Sequence, residues 1–204
     1  QVANAVAAIS PNEEKIYQKC GRKKIFLLPL VSLYGTLKPA FVHEHKDVLD
    51  VFYMGASYNI PFHLRGAEVL IKEIAPKVEA LMPGKFRFHI LGAKLPFANL
   101  ANNIIYEGFV PENQLNKFFE NMDAGVFPVF SGRGMKQKIF ESLCRSFPII
   151  APRISVGDYT LRNSQNFIEA NFVDQLVSGV IALNSVTLRK ELSMGAYEFA
   201  SANF

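Results

Sequence analysis

Cysteine is nearly absent from this chain of 204 residues: only Cys20 and Cys144 occur, far apart and without metal-type spacing. That leaves no disulfide framework and fits a reduced, intracellular setting. Histidine is scarce as well. His43 and His45 fall in an irregular stretch, His63 near a helix start and His89 inside a strand, none with a carboxylate or thiol at ligand spacing. No apolar run is long enough to span a bilayer; residues 25–33 are among the longest. Nor do Lys and Arg bunch into a run that would suggest a nucleic-acid tail. The net charge of +4, from 22 basic and 18 acidic residues, suits a phosphate-bearing ligand, an anionic membrane surface or simple solubility. Repeats, low-complexity tracts and a signal peptide are missing too. Because Gln1 is not a natural start, the chain is expected to be a piece of a longer protein.

Half of the residues are apolar, enough for a substantial core. Residues 5–9 form a short apolar run, followed by Ser10, Pro11, Glu13 and Glu14, the residue types of a capped helix start. That helix ends at Cys20 and Gly21, and residues 24–29 read as a second buried strand. Residues 1–30 therefore look like a strand–helix–strand remnant of a preceding domain, and residues 31–49 like a connector.

A regular alternation begins at residue 50. Strands are predicted at 51–55, 86–92, 104–106, 125–129, 148–151 and 166–170, and helices at 62–81, 97–102, 111–119, 134–145, 173–183 and 185–202. Continuously apolar strands alternating with helices predict an α/β fold. Its sheet is doubly wound and parallel, Rossmann-like, with helices on both faces over residues 50–204. Ligands of such sheets lie beyond the carboxyl ends of the strands, here the loops after Gly55, Gly92, Tyr106, Val129 and Ala151.

The richest of these loops is SGRGMKQKIFE, residues 131–141. Gly132 and Gly134 allow a close backbone approach, and the following helix start favours an anion. At helical spacing Gly134, Lys138 and Glu141 share a face, while Ile139, Leu143 and Phe147 form the core side. Lys138 suits a phosphate, and the Glu141 carboxylate suits a ribose diol. Spacing alone favours a surface i,i+3 ion pair of little energetic weight. The turn lacks the Lys-Ser ending of a P-loop, and the residues after Gly55 are no dinucleotide fingerprint.

The run SGRGMKQKIFESLCRSFPIIA (131–151), with GFVP (108–111) and MDAGVFP (122–128), resembles the donor-binding half of GT-B glycosyltransferases of retaining family 4. The likeness extends more loosely over nearly the whole chain, with residues 1–30 resembling the end of that family's N-terminal domain. It covers about half of a complete enzyme, so acceptor binding would belong to a missing N-terminal domain, and the chain alone would be inactive.

The resemblance implies that Glu141, matching the second glutamate of the E-x7-E motif, holds the nucleotide ribose. It also implies that Lys138 meets the diphosphate, that Gly132 and Gly134 approach phosphate and sugar, and that Phe109 and Val110 flank the base. Ser131, Arg133, Met135, Lys136 and Arg65 are weaker candidates for donor phosphate or sugar. Two departures stand out: Arg133 replaces the first glutamate, and Ala56 stands where an arginine is common. Tyr58 and His63 are expected to serve as surface loop residues, with lining of the donor pocket as the alternative. The residue that performs the chemistry is not legible. The implied substrate is a UDP- or GDP-type sugar, with no metal or other cofactor, and the acceptor a glycan or lipid-linked glycan. The setting is cytoplasmic, with contact at the inner membrane face. Nucleic acid is not an expected partner. A non-catalytic nucleotide-binding or interaction domain, or a sugar-nucleotide epimerase, shares the same fold expectation.

Overall fold

A computed structural model describes residues 4–21, 24–28, 31–132 and 135–204. Its first piece is a parallel strand pair, β1 (Val6–Ala8) and β2 (Ile25–Leu27), joined by helix α1 (Pro11–Lys19). The backbone N–H of Glu13 donates to the Ser10 hydroxyl at 3.2 Å, and the Glu13 carboxylate accepts from the N–H of Ile9 at 3.0 Å. This reciprocal arrangement is what fixes the helix start. Residues 24–29, expected as a buried strand, turn out differently: Phe26 is 57% and Leu28 58% exposed. The reason is topological. β2 pairs with β1 in a sheet of two strands, separate from the larger one, and burial needs a covering layer that its own pattern does not supply.

After a 3-10 helix, Val31–Thr36, and an irregular stretch, the chain enters a six-stranded, all-parallel sheet. Its strands are β3 (Leu49–Ser57), β4 (Phe86–Ala93), β5 (Ile104–Gly108), β6 (Ala124–Val126), β7 (Ile149–Ala151) and β8 (Ile168–Glu169). They lie in the order β5-β4-β3-β6-β7-β8. The sheet grows one way from β3 and then the other way from β6, so a crevice opens between the carboxyl ends of those two strands. Central β3 is buried from Leu49 through Gly55, and after the ion-paired Asp50 its residues 51–55 read as an apolar run.

The connecting helices are α2 (Pro61–Val69), α3 (Ala75–Leu81), α4 (Glu112–Phe119), α5 (Gln137–Cys144), α6 (Arg153–Val156), α7 (Val173–Ala182) and α8 (Val186–Asn203). Helices α2, α3 and α7 pack together on one face, and α5 and α8 on the other. A π-turn, Leu70–Ile74, joins α2 to α3, with the Ala75 N–H bonded to the Leu70 carbonyl. Pro76 explains it: in a continuous helix the ring would collide with the carbonyl four residues back, and the wide turn makes room. Within the core, Phe52 meets Phe119, Phe127 and Phe147 edge-on at centroid distances of 5.1, 6.1 and 5.1 Å. Each such contact is worth about 0.5–1.5 kcal/mol beyond its area.

Three further boundaries differ from expectation. Residues 97–102 are not helical; Lys94 and Asn99 adopt φ of 64° and 56°, a left-handed backbone that no right-handed helix carries. β6 stops at Val126 instead of 129, because Pro128 has no N–H to continue the ladder after Phe127 bonds Ile150. The helix expected from residue 134 starts at Gln137, since Lys136 has a ψ of 76° and is still outside the helix.

Candidate functional site

Two adjoining pockets open where the topology predicts a ligand, at the carboxyl ends of β3, β4, β5 and β6 beside the start of α5. The first encloses about 390 Å³ between the turns at Gly55, Gly92 and Phe109–Val110 and the helix side chains Gln137, Lys138 and Glu141. The second, about 200 Å³, lies between Phe62, His63, Met135 and Lys136. Met54, Ala56, Gln137 and Lys138 line both, so the pockets form one cleft.

Its floor is built by glycines. Gly92 has φ +133°, and a Cβ there would lie 2.5 Å from the Gly55 carbonyl oxygen. Only glycine lets β3 and β4 end this close together. Beneath them Tyr58 is 1% exposed and its hydroxyl donates to the Leu91 carbonyl at 2.7 Å. Tyr58 is thus a buried support and not a surface loop residue. His63 follows the alternative instead: it is half-buried and lines the second pocket. Burial and the charge of Lys136 push its pKa down, which favours neutral imidazole, and its Nδ1 has no hydrogen-bond partner among the described residues.

On α5, Glu141 is buried, with 7% of its surface exposed. Lys138 Nζ stands 2.9 Å from its Oε2, and Arg145 Nη2 3.7 Å from its Oε1. The i,i+3 pair therefore exists, but as a shielded carboxylate between two cations in a cavity wall, unlike an exposed surface pair. Buried charges persist only when partnered in this way. Among the described residues no side chain caps the start of α5, and a helix N-terminus favours an anion at its first turn.

The weaker candidates distribute unevenly. Met135 and Lys136 line the second pocket. Lys136 Nζ donates to the Gly132 carbonyl at 2.9 Å and lies 5.2 Å from the centre of the Phe62 ring. Burial lowers its pKa, against the opposing charge of Asp158. Gly132 has φ +96°, which this turn requires. Ser131 is exposed and lines neither pocket. Arg65 is turned outward on α2, ion-paired with Glu68 at 2.8 Å and remote from both linings. Arg133 and Gly134 lie outside the described residues, and with them the proposed shared face of Gly134, Lys138 and Glu141.

Sequence reasoning missed one wall of the cleft. Ser32, Leu33 and Thr36 of the 3-10 helix line the first pocket, and Gln137 Nε2 donates to the Ser32 hydroxyl at 3.4 Å. The connector thus contributes directly to the cleft, and no local pattern marked it. His89 is packed in its strand, where it bridges Asp50 and Glu107 at 2.8 and 2.7 Å, away from this cleft. Among the described residues no His, Cys, Asp and Glu side chains are grouped to hold a metal ion. No helix among them is long and apolar enough to cross a membrane.

Residues 49–185 match the family model of glycosyl transferases group 1. The chain belongs to that family. No curated protein sequence matches it, but solved structures do. A TarM mutant from S. aureus, in complex with fondaparinux, alpha-GlcNAc-glycerol and UDP, superposes with a TM-score of 0.71 at 18% identity, over 96% of this chain and 40% of that one. Sucrose-phosphate synthase from Thermosynechococcus elongatus gives a TM-score of 0.74 at 16% identity, over 100% of this chain and 55% of that one. The C-terminal domain of the group 1 protein LpcC from Francisella tularensis gives 0.61 at 15% identity, over 79% of this chain and 94% of that domain. This group 1 chain has the Rossmann-like fold of the C-terminal half of GT-B glycosyltransferases. It spans 40% of TarM and 55% of the synthase, well under two thirds of either.

Proposed function

We propose that this group 1 chain is the donor-binding half of a retaining glycosyltransferase. The complete enzyme moves a sugar from a UDP- or GDP-type donor to a glycan or lipid-linked glycan acceptor. The observation that carries this reading is Glu141: a carboxylate 7% exposed, in the wall of a cavity of about 390 Å³ at the carboxyl edge of a parallel sheet. Phe109 and Val110 offer the apolar turn for a base, Glu141 accepts from the ribose hydroxyls, and Lys138 stands one helical turn away for the diphosphate. Beyond it, Met135, Lys136 and His63 surround the second pocket, where the distal phosphate and sugar would lie.

Glycosyl transfer places negative charge on the departing diphosphate. Lys138 and Lys136, together with the N-terminal end of α5, stabilise that charge in a partly dry cleft. TarM was solved with UDP, which supports the same assignment. The acceptor reaches the sugar from a domain outside this chain, so the chain alone binds donor without turnover. The reaction belongs to a cytoplasmic setting, and the charge of +4 suits approach to an anionic inner membrane face.

Calorimetric titration of UDP and GDP into the wild type and Glu141→Gln tests this. One nucleotide should bind the wild type, and the variant should lose about tenfold or more, as expected for charge-assisted bonds to a diol. Equal and negligible binding by both proteins would overturn the reading in favour of a non-catalytic domain of the same fold.

A further inference from the structure

We infer that Arg145 is a positioning residue for the donor ribose, fixing the Glu141 carboxylate from behind so that Lys138 is released to the diphosphate. The inference rests on the donor-site reading above and concerns a residue to which the resemblance assigns no role.

Arg145 follows α5 as its C-terminal cap, one turn beyond Glu141. Its side chain is 8% exposed, with Nη2 3.7 Å from Glu141 Oε1. The rest of the guanidinium is locked in place: Nη1 donates to Asn116 Oδ1 at 2.7 Å, and the group lies 4.5 Å from the centre of the Phe119 ring. Nε is buried with no partner among the described residues. An arginine placed only to satisfy its own donors would not leave one unpaired in a dry position. Here the plane is set by the ring and Asn116, and the donor edge that remains faces Glu141.

Arg145 does not line the donor cleft. It borders a separate cavity of about 560 Å³ with Lys38, His43 and Asn116, on the far side of the carboxylate. It therefore touches Glu141 without reaching the ligand. The two cations on Glu141 differ in freedom: Lys138 is 34% exposed and Arg145 8%. When a diphosphate enters, Lys138 changes partner and Arg145 stays. Glu141 then keeps one fixed countercharge on Oε1, and Oε2 is left to accept from the ribose. A carboxylate stripped of both cations would be an uncompensated buried charge.

The structural alternative is that Arg145 merely caps α5, where a cation is favourable at any helix end. Ribose-specific binding separates the two. Affinities of UDP, GDP and their 2′,3′-dideoxy forms are measured for the wild type, Arg145→Met, Arg145→Lys and Asn116→Ala, with the unfolding midpoint of each. In Arg145→Met the preference for the ribose form over its dideoxy analogue should shrink by about tenfold, the scale of a charge-assisted contact. Affinity for the dideoxy form should barely change. Arg145→Lys should restore part of the preference, and Asn116→Ala, which keeps both charges but loosens the guanidinium, should narrow it partially. If Arg145→Met does not fold, Asn116→Ala alone decides. Undiminished ribose preference in the variants, or an equal loss for both nucleotide forms, would overturn the inference and leave the donor site standing. If the wild type itself shows no ribose preference, the assignment of Glu141 fails first and the role of Arg145 with it.

Discussion

Lys138 Nζ lies 2.9 Å from Glu141 Oε2 inside the cleft, so the two groups proposed for phosphate and ribose are paired with each other. Donor binding must break this pair and replace both halves. Lys138 then matters only to ligands that carry phosphate. Lys138→Met should lower UDP or GDP affinity about tenfold, the loss of one charge-assisted contact. It should leave the corresponding nucleoside unaffected or slightly better bound, since Glu141 no longer has to surrender a partner. Parallel titrations of nucleotide and nucleoside check this, and an equal loss for both would count against the phosphate role.

Phe109 offers a cleaner separation of function from stability. It is 73% exposed at the mouth of the first pocket, so folding gains little from it. Phe109→Ser should leave the thermal midpoint unchanged. Nucleotide affinity should fall about threefold to tenfold, corresponding to the ~0.5–1.5 kcal/mol of an aromatic contact. Unchanged affinity would remove the base from this turn.

How far the sequence reaches can be followed residue by residue. The parallel class of the large sheet was legible because its central strands are largely buried, so residues 51–55 read as a continuous apolar run and Arg87 is the one exposed position within residues 86–92 of β4. Ser10 announced α1 because capping is a local matter of three residues. The i,i+3 spacing of Lys138 and Glu141 announced their pairing, but only the family resemblance set them apart from a surface ion pair. What failed depended on distant chain. Phe26 in β2 has the composition of a core residue, but exposure is decided by what lies over it. Ser32 and Thr36 reach the cleft only because the 3-10 helix folds back on α5, a contact with no local signature. Tyr58 and His63 both leave the surface role their neighbourhood suggests: the tight Gly55–Gly92 approach leaves a space under the floor that the tyrosine fills, and His63 lines the second pocket.

His89 predicts a pH dependence of stability. Its ring bridges Asp50 and Glu107, with Arg87 3.6 Å and Lys46 2.7 Å from Asp50. Burial lowers the His89 pKa, but hydrogen bonds and charge from the two carboxylates outweigh it and the net shift is upward from 6.5. A raised histidine pKa stabilises the fold fully below the unfolded value, and the contribution is lost as pH rises through the folded value. Burial likewise raises the Asp50 pKa, but His89 and Lys46 bring it below 3.8 overall. The Asp50 contribution is therefore present above that value and lost at more acidic pH. Urea midpoints should hold steady between these limits and decline above about pH 6.5, by roughly 1.4 kcal/mol for each unit of histidine shift. His89→Gln should abolish the alkaline decline. A wild-type midpoint independent of pH from 6 to 9 would show that the bridge contributes nothing to stability.

The seating of α8 makes the last prediction. A Cβ at Gly195 would stand 1.9 Å from the Gln165 carbonyl oxygen and 2.8 Å from its carbon. The same contact is tied from the other direction by Asn166 Nδ2, which donates to the Gly195 carbonyl at 2.9 Å. Backbone thus meets backbone here, and neither side has a flexible end to move. Gly195→Ala should push α8 off residues 165–166, with a loss of about 1–3 kcal/mol or more, as for other overpacked contacts. Gly157→Ala is the matched control: its φ is −67°, and the nearest atom to a new Cβ is 3.6 Å away. That substitution should stay within about 0.5 kcal/mol of the wild type. Thermal unfolding of the two variants side by side gives the comparison, and equal midpoints would mean that α8 tolerates a displacement the packing denies it. Because α5 packs against α8, the displaced helix should also weaken nucleotide binding at Glu141, while Gly157→Ala leaves it intact.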